Sequence, residues 1–328
     1  MTVLKFFLRA ARRYIVQPLV LLLAKLTAIG LMLIPGNPAH RIFDRRGFHL
    51  LRKHFYLPIP EIDDVERPFW NQQSSMIGID MNDQMALDCL EHVIPPFMDE
   101  FRAQFPLQPT ENSTQFHLIN GNYMAVDAHV YYAFIRYYKP KHIIEIGAGN
   151  STRLAAVACM RNEQETGCPT NLTVIEPFPP DVLAKGFAGL TQLLHVRVQD
   201  VNLNVFTALE AGDILFIDSS HVLRSGGDVQ FEYLEILPRL SPGVLVHIHD
   251  ISLPKPYPQV YWDTQLYWNE QFLLQAFLTF NHEFQVVWPG SYMLLRYPDL
   301  MNRRFPELKA MRQSFPFSAP SAFWIRRL

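Results

Sequence analysis

Lys141-His-Ile-Ile-Glu-Ile-Gly-Ala-Gly-Asn-Ser-Thr152 is the most informative segment of this 328-residue chain. A short β-branched run, Ile143 to Ile146, is interrupted by two glycines, and an apolar-periodic segment from about Thr152 to Cys159 follows. This order predicts a strand, a tight turn and a helix. Gly147 and Gly149 leave room for a ligand against the main chain, and the free N–H groups of the helix point into the same space.

The turn fits two interpretations. A dinucleotide-binding fingerprint requires G-x-G-x-x-G and an acidic residue about 20 residues later. Here Thr152 occupies the third glycine position, and Glu145 already precedes the glycines. A carboxylate in the strand just before the turn is expected to face a polar or cationic ligand. The site suits a nucleotide-like molecule, and a nicotinamide-dependent oxidoreductase is one alternative.

Composition narrows the class of protein. The chain carries 29 Lys and Arg against 31 Asp and Glu, a formal net charge of -2, so no broad basic face for nucleic acid is expected. Cys89, Cys159 and Cys168 are too few and too scattered for a disulfide framework or a zinc site. A reducing cytosolic setting fits the catalytic part. One large domain with additions, or two domains, is expected at this length.

Residues 1–56 predict a membrane-associating segment. An apolar run from Tyr14 to Ile34 is long enough to span a membrane, with Lys25 near its middle. Basic residues flank both ends and therefore set no orientation. We expect a helix or hairpin in the plane of the bilayer surface, and a helix buried on the domain or a dimer partner is the alternative. The basic residues are Lys5, Arg9, Arg12, Arg13, Arg41, Arg45, Arg46, Arg52 and Lys53.

Residues 57–119 predict a linker followed by a helical cap. The proline-rich stretch 57–70 is expected to be extended. Residues 79–105 have a helical apolar pattern that Pro95-Pro96 must kink or split, and we expect this segment to cover one mouth of the ligand cleft. A helix is also predicted over 122–138. Asp127 and His129 near its start either border the cleft or lie on a solvated face.

Four further runs predict a parallel sheet with acidic strand ends. They cover residues 172–176, 193–198, 213–218 and 240–250. Apolar runs without alternation are typical of strands that are buried on both faces. Ligands of open parallel sheets bind beyond the carboxyl ends of the strands, so the acids at those ends are expected to gather at one edge. These acids are Glu176, Asp200, Asp218 and Asp250.

The rest of the chain is predicted to complete the sheet. An amphipathic helix is expected over 267–278. Residues 283–288 and 292–297, joined at Pro289-Gly290, predict an antiparallel hairpin, and residues 299–328 a packing arm. The expected fold is therefore α/β: a Rossmann-like, seven-stranded, mostly parallel sheet with an antiparallel C-terminal hairpin, flanked by helices and preceded by an apolar helical extension.

In this order, the motifs resemble those of the class I S-adenosylmethionine-dependent methyltransferases over residues 120–298. The E-x-G-x-G-x-S/T turn is similar to motif I of that family. The chain is most similar to members with Asp-x-x-His after strand four, His-x-His-Asp at strand five and a Trp-x-Glu-Gln helix. Such enzymes commonly modify small molecules and sugars. The resemblance does not cover residues 1–115, where substrate choice is expected to reside.

The resemblance implies an S-adenosylmethionine site at the strand ends. Glu145 and the turn from Gly147 to Ser151 would hold the methionine end and the ribose. Glu176 would accept hydrogen bonds from both ribose hydroxyls, because a carboxylate offers two oxygens, and Asp200 would receive the adenine amino group. The alternative for Glu176 and Asp200 is that each caps the next helix. The expected cofactor-binding residues are Glu145, Gly147, Gly149, Asn150, Ser151, Glu176, Asp200 and Asp218.

Methyl transfer to a hydroxyl group requires alignment, exclusion of water and loss of the acceptor proton. His221, His249 and Asp218 are the candidate catalytic residues. Asp218 and Asp250 end neighbouring strands and could share a divalent cation such as Mg²⁺, with His249 as a further ligand. A nitrogen ligand also leaves open a metal-free route in which His221 or His249 is the base.

Other polar and aromatic residues near these strands have simpler interpretations. His247 is expected to be a hydrogen-bonded core histidine, and Asp228 and Glu232 are expected to form a solvated helix face. An aromatic cluster between the fifth strand and its helix predicts either a wall for a sugar ring or ordinary loop packing. This cluster contains Tyr257, Tyr261, Trp262, Tyr267 and Trp268.

The combined prediction is a membrane-associated methyltransferase that acts on a hydroxyl group of a small-molecule, saccharide or lipid-linked acceptor. Its catalytic domain should face the cytoplasm, because S-adenosylmethionine is made and held there. No nucleic acid partner is expected, and a homo-oligomer is left open. An NAD(P)-dependent oxidoreductase and a non-catalytic, membrane-tethered binding domain remain as alternatives.

Overall fold

Seven strands form a single sheet in the order β3-β2-β1-β4-β5-β7-β6. The computed structural model describes residues 15–33, 40–49, 51, 53–65, 67–112 and 114–328. The chain divides into two units, residues 1–59 and residues 60–328, and the sheet belongs to the second. The strands are β1 His142–Ile146, β2 Asn171–Ile175, β3 Gln192–Leu194, β4 Ile214–Ile217, β5 Leu245–Ile248, β6 Phe284–Pro289 and β7 Phe323–Arg327.

The five predicted parallel strands are confirmed. β1 pairs with β2 and β4, β3 pairs with β2, and β5 pairs with β4, all in parallel. Every residue of β4 and β5 is buried, because two apolar clusters cover the two faces of the sheet. β3 is shorter than the run 193–198 predicted. The mixed seven-stranded sheet with flanking helices is therefore the architecture expected from the sequence.

The predicted C-terminal hairpin is wrong. Residues 290–296, which follow β6 directly, are helical, so Pro289-Gly290 is not a hairpin turn. The antiparallel partner of β6 is β7, which also pairs antiparallel with β5. The tail predicted as a packing arm therefore supplies an internal strand of the sheet. Residues 299–328 belong to the same unit as the sheet.

Helices flank the sheet on both faces, with α6 and α7 packed against each other on one of them. The helices are α1 Gln17–Leu33, α2 His40–Asp44, α3 Arg67–Trp70, α4 Asp83–Asp88, α5 Met98–Gln104, α6 Asp127–Tyr138, α7 Asn150–Thr166, α8 Asp181–Ala184, α9 Asn204–Thr207, α10 Asp228–Phe231, α11 Gln259–Asp263, α12 Glu270–Leu278, α13 Gly290–Arg296, α14 Pro298–Arg304 and α15 Glu307–Ser314. π-helical turns span Cys89–Val93 and Glu232–Ile236, and 3-10 turns span Ile62–Val65, Pro95–Phe97, Val198–Asp200 and Leu237–Arg239.

The helical segment predicted over 79–105 is divided, as expected, where Pro95 and Pro96 form a 3-10 turn. Its two α-helices pack on β6 and on α6. In the described part of the chain, the residues that line the cleft beyond the strand ends include none from 79–105. The expectation that this segment covers the cleft is therefore wrong, because its apolar face is used to cover the sheet and α6.

The N-terminal unit contains α1 and α2. Tyr14, Ile34 and the basic residues at positions 5, 9, 12, 13 and 52 lie outside the described residues. The apolar side chains of α1 are exposed; Leu19, Leu22, Leu23 and Leu26 each keep more than half of their surface. None of the helices in the described ranges combines the length and hydropathy that a bilayer crossing requires.

Candidate active site

Backbone hydrogen bonds continue past the strands and hold the next residues side by side at the carboxyl edge. Gly147 donates its N–H to Ile175, and Asp218 donates to Ile146. His249 donates to Ile217 in the same way. The strand-end residues are thus positioned by the sheet itself rather than by flexible loops.

Gly147 is required by the geometry of the turn. Its φ is +86°, and a Cβ atom at this position would lie 2.0 Å from the carbonyl oxygen of Asp218. Gly149 differs, because a Cβ atom there would meet nothing within 4 Å. Space beside Gly149 therefore belongs to the cleft, whereas space beside Gly147 is filled by the neighbouring strand end.

Glu145 lies beneath the turn and is fully buried. Its carboxylate accepts hydrogen bonds from the Tyr131 hydroxyl at 2.8 Å and from the Thr152 hydroxyl at 2.6 Å. Thr152 Oγ1 in turn accepts the N–H of Gly149 at 3.2 Å. Burial raises the pKa of Glu145 to about 7, against the two hydrogen bonds that lower it. The carboxylate is therefore hydrogen-bonded to residues that hold the turn in place. The prediction that it faces a ligand in the cleft is wrong.

The first of two cavities at this edge has a volume of 330 Å³ and lies between the ends of β1, β2 and β4. Glu176 lines it, and one of its oxygens accepts the N–H of Phe178 at 2.7 Å. Asp200 is exposed and forms an ion pair with Arg197 at 2.9 Å. The cavity is lined by Arg197 but not by Asp200, so the structure does not bring Asp200 to the predicted adenine position.

The second cavity has a volume of 500 Å³ and lies over the glycine turn. Asp218 lines both cavities, so it marks their junction. Its walls are formed by the start of α7, by the ends of β4 and β5, and by the aromatic loop 257–268. The lining residues are Gly121, Asn122, Tyr123, Ala148, Gly149, Asn150, Ser151, Arg153, Pro180, Asp218, His249, Asp250, Tyr261 and Trp268.

Two carboxylates and two imidazoles meet where β4 and β5 end. His221 Nε2 lies 3.3 Å from Asp218 Oδ1 and 3.5 Å from Asp250 Oδ2. His249 Nδ1 lies 3.4 Å and 3.7 Å from the same two oxygens and, although buried, has no hydrogen-bond partner among the described residues. Asp218, His221 and Asp250 can each offer one ligand atom within 4.8 Å of the others. Of the three predicted metal ligands, this group contains Asp218 and Asp250, and His221 takes the place of His249.

The charges in this cluster depend on one another. Burial would raise the pKa of Asp218, but His249 and His221 outweigh it and hold that pKa far below its usual range. Burial likewise opposes a charge on each imidazole. Asp218 and Glu270 raise the pKa of His221, and Asp250 and Asp218 raise that of His249, well above the ordinary value. The cluster therefore favours ionised carboxylates facing cationic groups.

Two buried acids lie behind the two histidines; the sequence placed Asp127 at the cleft or on a solvated face and assigned no role to Glu270. Glu270 Oε2 lies 2.8 Å from His221 Nδ1, and Asp127 Oδ2 lies 3.6 Å from His249 Nε2. Glu232, predicted on a solvated face, is fully buried and accepts a hydrogen bond from Ser219 at 3.0 Å. Asp228 binds the backbone N–H and hydroxyl of Ser220, so the expectation of a solvated face is wrong for both acids. The Trp-x-Glu-Gln motif was the one available signal for Glu270.

A third cavity, of 170 Å³, adjoins the second one and shares Gly121, Asn122, Asp250 and Tyr261 with it. The C-terminal segment 317–321 forms one wall, held by Asp127, which accepts the N–H groups of Ser321 and Ala322. Among the described residues, no Lys or Arg lines this third cavity. We refer to it as the side chamber.

Two other predicted residues are placed in or near the core. His247 is fully buried, stacks on Trp324 with ring centroids 4.6 Å apart and lies 3.5 Å from the Tyr123 hydroxyl, as expected for a core histidine. His129 is buried at 3.6 Å from Glu307 and does not border the cleft. In the aromatic cluster, Trp268 packs on the ring of His221 at 4.3 Å.

Comparison with known proteins identifies a family for the central part of the chain. Residues 144–251 match the family model described as a methyltransferase domain. An uncharacterised protein of Archaeoglobus fulgidus is 34% identical over 165 residues, which cover 48% of this chain and 72% of that protein.

Two solved structures are similar in part. Haemonchus contortus phosphoethanolamine N-methyltransferase 2, in complex with S-adenosyl-L-methionine, has 14% identity and a TM-score of 0.30; the match covers 60% of this chain and half of that protein. A putative protein-L-isoaspartate O-methyltransferase of Plasmodium falciparum, in complex with S-adenosyl-L-homocysteine, has 13% identity and a TM-score of 0.25, with coverages of 53% and 78%. Both TM-scores are low, so neither structure identifies a substrate for this chain.

Proposed function

Because residues 144–251 match a methyltransferase-domain family, we propose that this chain is a class I methyltransferase that transfers a methyl group from S-adenosylmethionine to a hydroxyl group of a small-molecule, saccharide or lipid-linked acceptor. The observation that carries the proposal is the position of Asp218. It joins a cavity beside Glu176 to a cavity over the glycine turn, at the edge where parallel sheets bind ligands. The nucleoside would occupy the cavity beside Glu176, and the methionine end would occupy the cavity over the glycine turn.

The proposed donor site assigns one part of the molecule to each cavity. Glu176 would hold the ribose hydroxyls in the first cavity, where it retains acceptor capacity beyond its bond to Phe178. The N–H groups at the start of α7 and Arg153 would hold the carboxylate of the methionine end in the second. S-adenosylmethionine supplies an electrophilic methyl group. The chain aligns it and excludes water.

The reaction breaks the carbon–sulfur bond of the sulfonium and forms a carbon–oxygen bond to the acceptor, which loses its hydroxyl proton. His221 and His249 are the groups in this cluster that can take that proton. Their partners Asp218 and Asp250 stabilise the resulting imidazolium. The neutral histidine is the active form in this route, although the raised pKa values favour the protonated form.

A divalent cation is a second way to use the same residues. Asp218, His221 and Asp250 form a mixed set of two carboxylate oxygens and one ring nitrogen, and the nearby buried Nδ1 of His249 lacks a hydrogen-bond partner among the described residues. Such a set suits a transition ion such as Mn²⁺ better than Mg²⁺, which prefers oxygen ligands. A bound cation would lower the pKa of an acceptor hydroxyl.

Isothermal titration calorimetry with S-adenosylhomocysteine and NAD tests the donor. We expect the chelator-treated full chain to bind S-adenosylhomocysteine and not NAD. Glu176→Gln should weaken binding by about tenfold, which corresponds to about 1.4 kcal/mol, and the matched change Asp200→Asn should leave it unchanged. Binding of NAD alone would reject the proposal in favour of an oxidoreductase.

Titration with Mn²⁺, followed by electron paramagnetic resonance, tests the cation. Asp250→Asn should lower the Mn²⁺ affinity by about tenfold or more, since it removes one charged oxygen ligand. The control Asp200→Asn removes the same charge from an exposed ion pair away from the cluster. Equal Mn²⁺ affinity in all three proteins would reject the cation and leave the histidine route.

The side chamber is the proposed place for the acceptor. It opens beside Asp250 and Tyr261, so a group bound there lies next to the cluster of carboxylates and imidazoles at the ends of β4 and β5. Two carboxylates, those of Asp127 and Asp250, line it without a Lys or Arg in its described lining. This charge balance disfavours phosphorylated or carboxylated acceptors and supports a neutral, hydroxyl-rich one.

We also propose that the enzyme associates with a membrane through its N-terminal unit, with its catalytic part on the cytoplasmic side. Apart from Lys25, α1 contains no charged residue, and its apolar side chains are exposed. Arg41, Arg45 and Arg46 follow α1 in the sequence and suit contact with anionic headgroups. A helix in the plane of the leaflet meets both features.

A further inference from the structure

Glu270 occupies the side of His221 that faces away from the cleft. The carboxylate is fully buried, and its Oε2 lies 2.8 Å from His221 Nδ1. Its Oε1 accepts a hydrogen bond from the buried hydroxyl of Tyr233 at 3.1 Å. The other ring nitrogen of His221, Nε2, faces Asp218 and Asp250. The imidazole is thus held between one carboxylate in the core and two at the cleft.

The start of α12 also holds the backbone of His221. The carbonyl oxygen of His221 accepts the N–H groups of Asn269 and Glu270 at 3.0 and 3.1 Å. The Asn269 side chain accepts the N–H of Leu223 at 2.6 Å, and Trp268 packs on the imidazole ring. His221 itself has a φ of +58°, a conformation that a non-glycine residue keeps only when its surroundings enforce it. Residues 268–270, at the start of α12, therefore hold both the main chain and the side chain of His221.

We propose that Glu270 is a positioning residue: by accepting the Nδ1–H of His221, it directs Nε2 toward the reacting acceptor or its cation. A carboxylate behind an imidazole fixes the tautomer and the orientation of the ring, whether the far nitrogen takes a proton or binds a metal. This inference deepens the proposed function and rests on it for the identity of the reacting group. The hydrogen bond itself exists independently of methyl transfer.

Tyr233 makes the role of Glu270 testable. Among the described residues, Glu270 accepts the hydrogen bond that the Tyr233 hydroxyl donates. In Glu270→Gln, the amide oxygen must serve Tyr233, because a buried hydroxyl without an acceptor costs about 1–3 kcal/mol. The amide NH₂ then faces His221 and can only donate, so Nδ1 loses its proton and the wrong tautomer forms. Adding Tyr233→Phe removes this demand and lets the amide turn.

Proton NMR of the full chain, after removal of metals with a chelator, measures the Nδ1–H directly. A buried imidazole N–H that is bonded to a carboxylate gives a resonance downfield of the amide region. We expect this resonance in the wild type and in Tyr233→Phe, and its loss in His221→Asn, which assigns it. It should also be lost in Glu270→Gln and return in the double variant Tyr233→Phe/Glu270→Gln. Circular dichroism checks that each variant is folded.

A purely structural role for Glu270 predicts a different pattern. The double variant would then be no closer to the wild type than Glu270→Gln is. Persistence of the resonance in Glu270→Gln, its absence from the wild type or its failure to return in the folded double variant would each overturn the proposal. S-adenosylhomocysteine titrations of the same samples keep the two questions apart. If the wild type did not bind S-adenosylhomocysteine, the proposed methyltransferase function would be rejected, and the NMR result on Glu270 and His221 would still hold.

Discussion

Glu145 carries a buried carboxylate whose ionisation opposes folding. Burial raises its pKa from the ordinary value of 4.5 to about 7, so between these pH values the folded chain holds a proton that the unfolded chain has lost. Stability should therefore fall as the pH rises from 4.5 to about 7 and stay lower above it. The shift corresponds to about 3 kcal/mol.

Glu145→Gln tests this assignment through urea unfolding of the wild type and the variant at about pH 5 and about pH 8. Relative to the wild type, the variant should gain about 2.5 kcal/mol of unfolding free energy between the two pH values, because it has no charge to bury. Other titrating groups are shared by both proteins and cancel in the difference. The same difference at both pH values would contradict the prediction.

Gly147 and Gly149 form a natural pair of matched substitutions. Gly147→Ala places a methyl group 2.0 Å from a carbonyl oxygen at a positive φ, so we expect loss of cooperative unfolding. In Gly149→Ala, the methyl group enters open space in the cleft. This variant should remain folded by circular dichroism and bind S-adenosylhomocysteine about tenfold more weakly. Equal effects of the two substitutions on folding would contradict the account of the turn.

Site residues that directly follow a strand could be located from the sequence. The buried acids that contact those residues from the side away from the cleft could not. Asp218 and Asp250 were predictable because a parallel sheet aligns its strand ends. Glu232 and Glu270 lie on helices, where an acid at a polar position suggests solvent. Their burial depends on Ser219, His221 and Tyr233, which only the tertiary fold brings near.

Among the elements, β7 carries a large share of the packing. Trp324 is fully buried, with ring centroids 4.8 Å from Phe134 and 4.6 Å from His247. Trp324→Ala should lower the free energy of unfolding by about 3–5 kcal/mol in urea titrations, because it leaves a cavity. Phe317→Ala, at a side chain that is 83% exposed, should change it by less than about 0.5 kcal/mol. Similar losses in both variants would contradict the position of β7 inside the sheet.

Local sequence signals predicted a hairpin after β6, and they did not predict β7, which is the actual partner of β6. Pro289-Gly290 between two apolar runs is a strong turn signal, but residues 290–296 bury Met293 as a helix instead. Residues 323–327 contain two arginines and are separated from β6 by three helices, so their pattern does not identify a central strand. Pairing with β5 and β6 on both sides decides their structure, and that information is non-local.

At the scale of the whole molecule, the proposed membrane contact can be measured by vesicle flotation. The full chain should float with phosphatidylcholine and phosphatidylserine vesicles, and a chain that lacks residues 1–35 should remain in the bottom fraction. Replacing Arg41, Arg45 and Arg46 with Gln should weaken flotation with phosphatidylserine, and added salt should have the same effect. Identical behaviour of the full and shortened chains would contradict membrane attachment through this segment.

The position of β7 also has a consequence for biosynthesis. Until residues 323–327 have been synthesised, β5 and β6 lack the strand that separates them, and their backbone groups on that side have no partners. The side chamber is likewise open until residues 317–321 have been added. A nascent chain therefore closes its sheet and its substrate chamber in one late event. Translational stalling before residue 323 would leave unpaired strand edges on β5 and β6, which chaperones would have to cover.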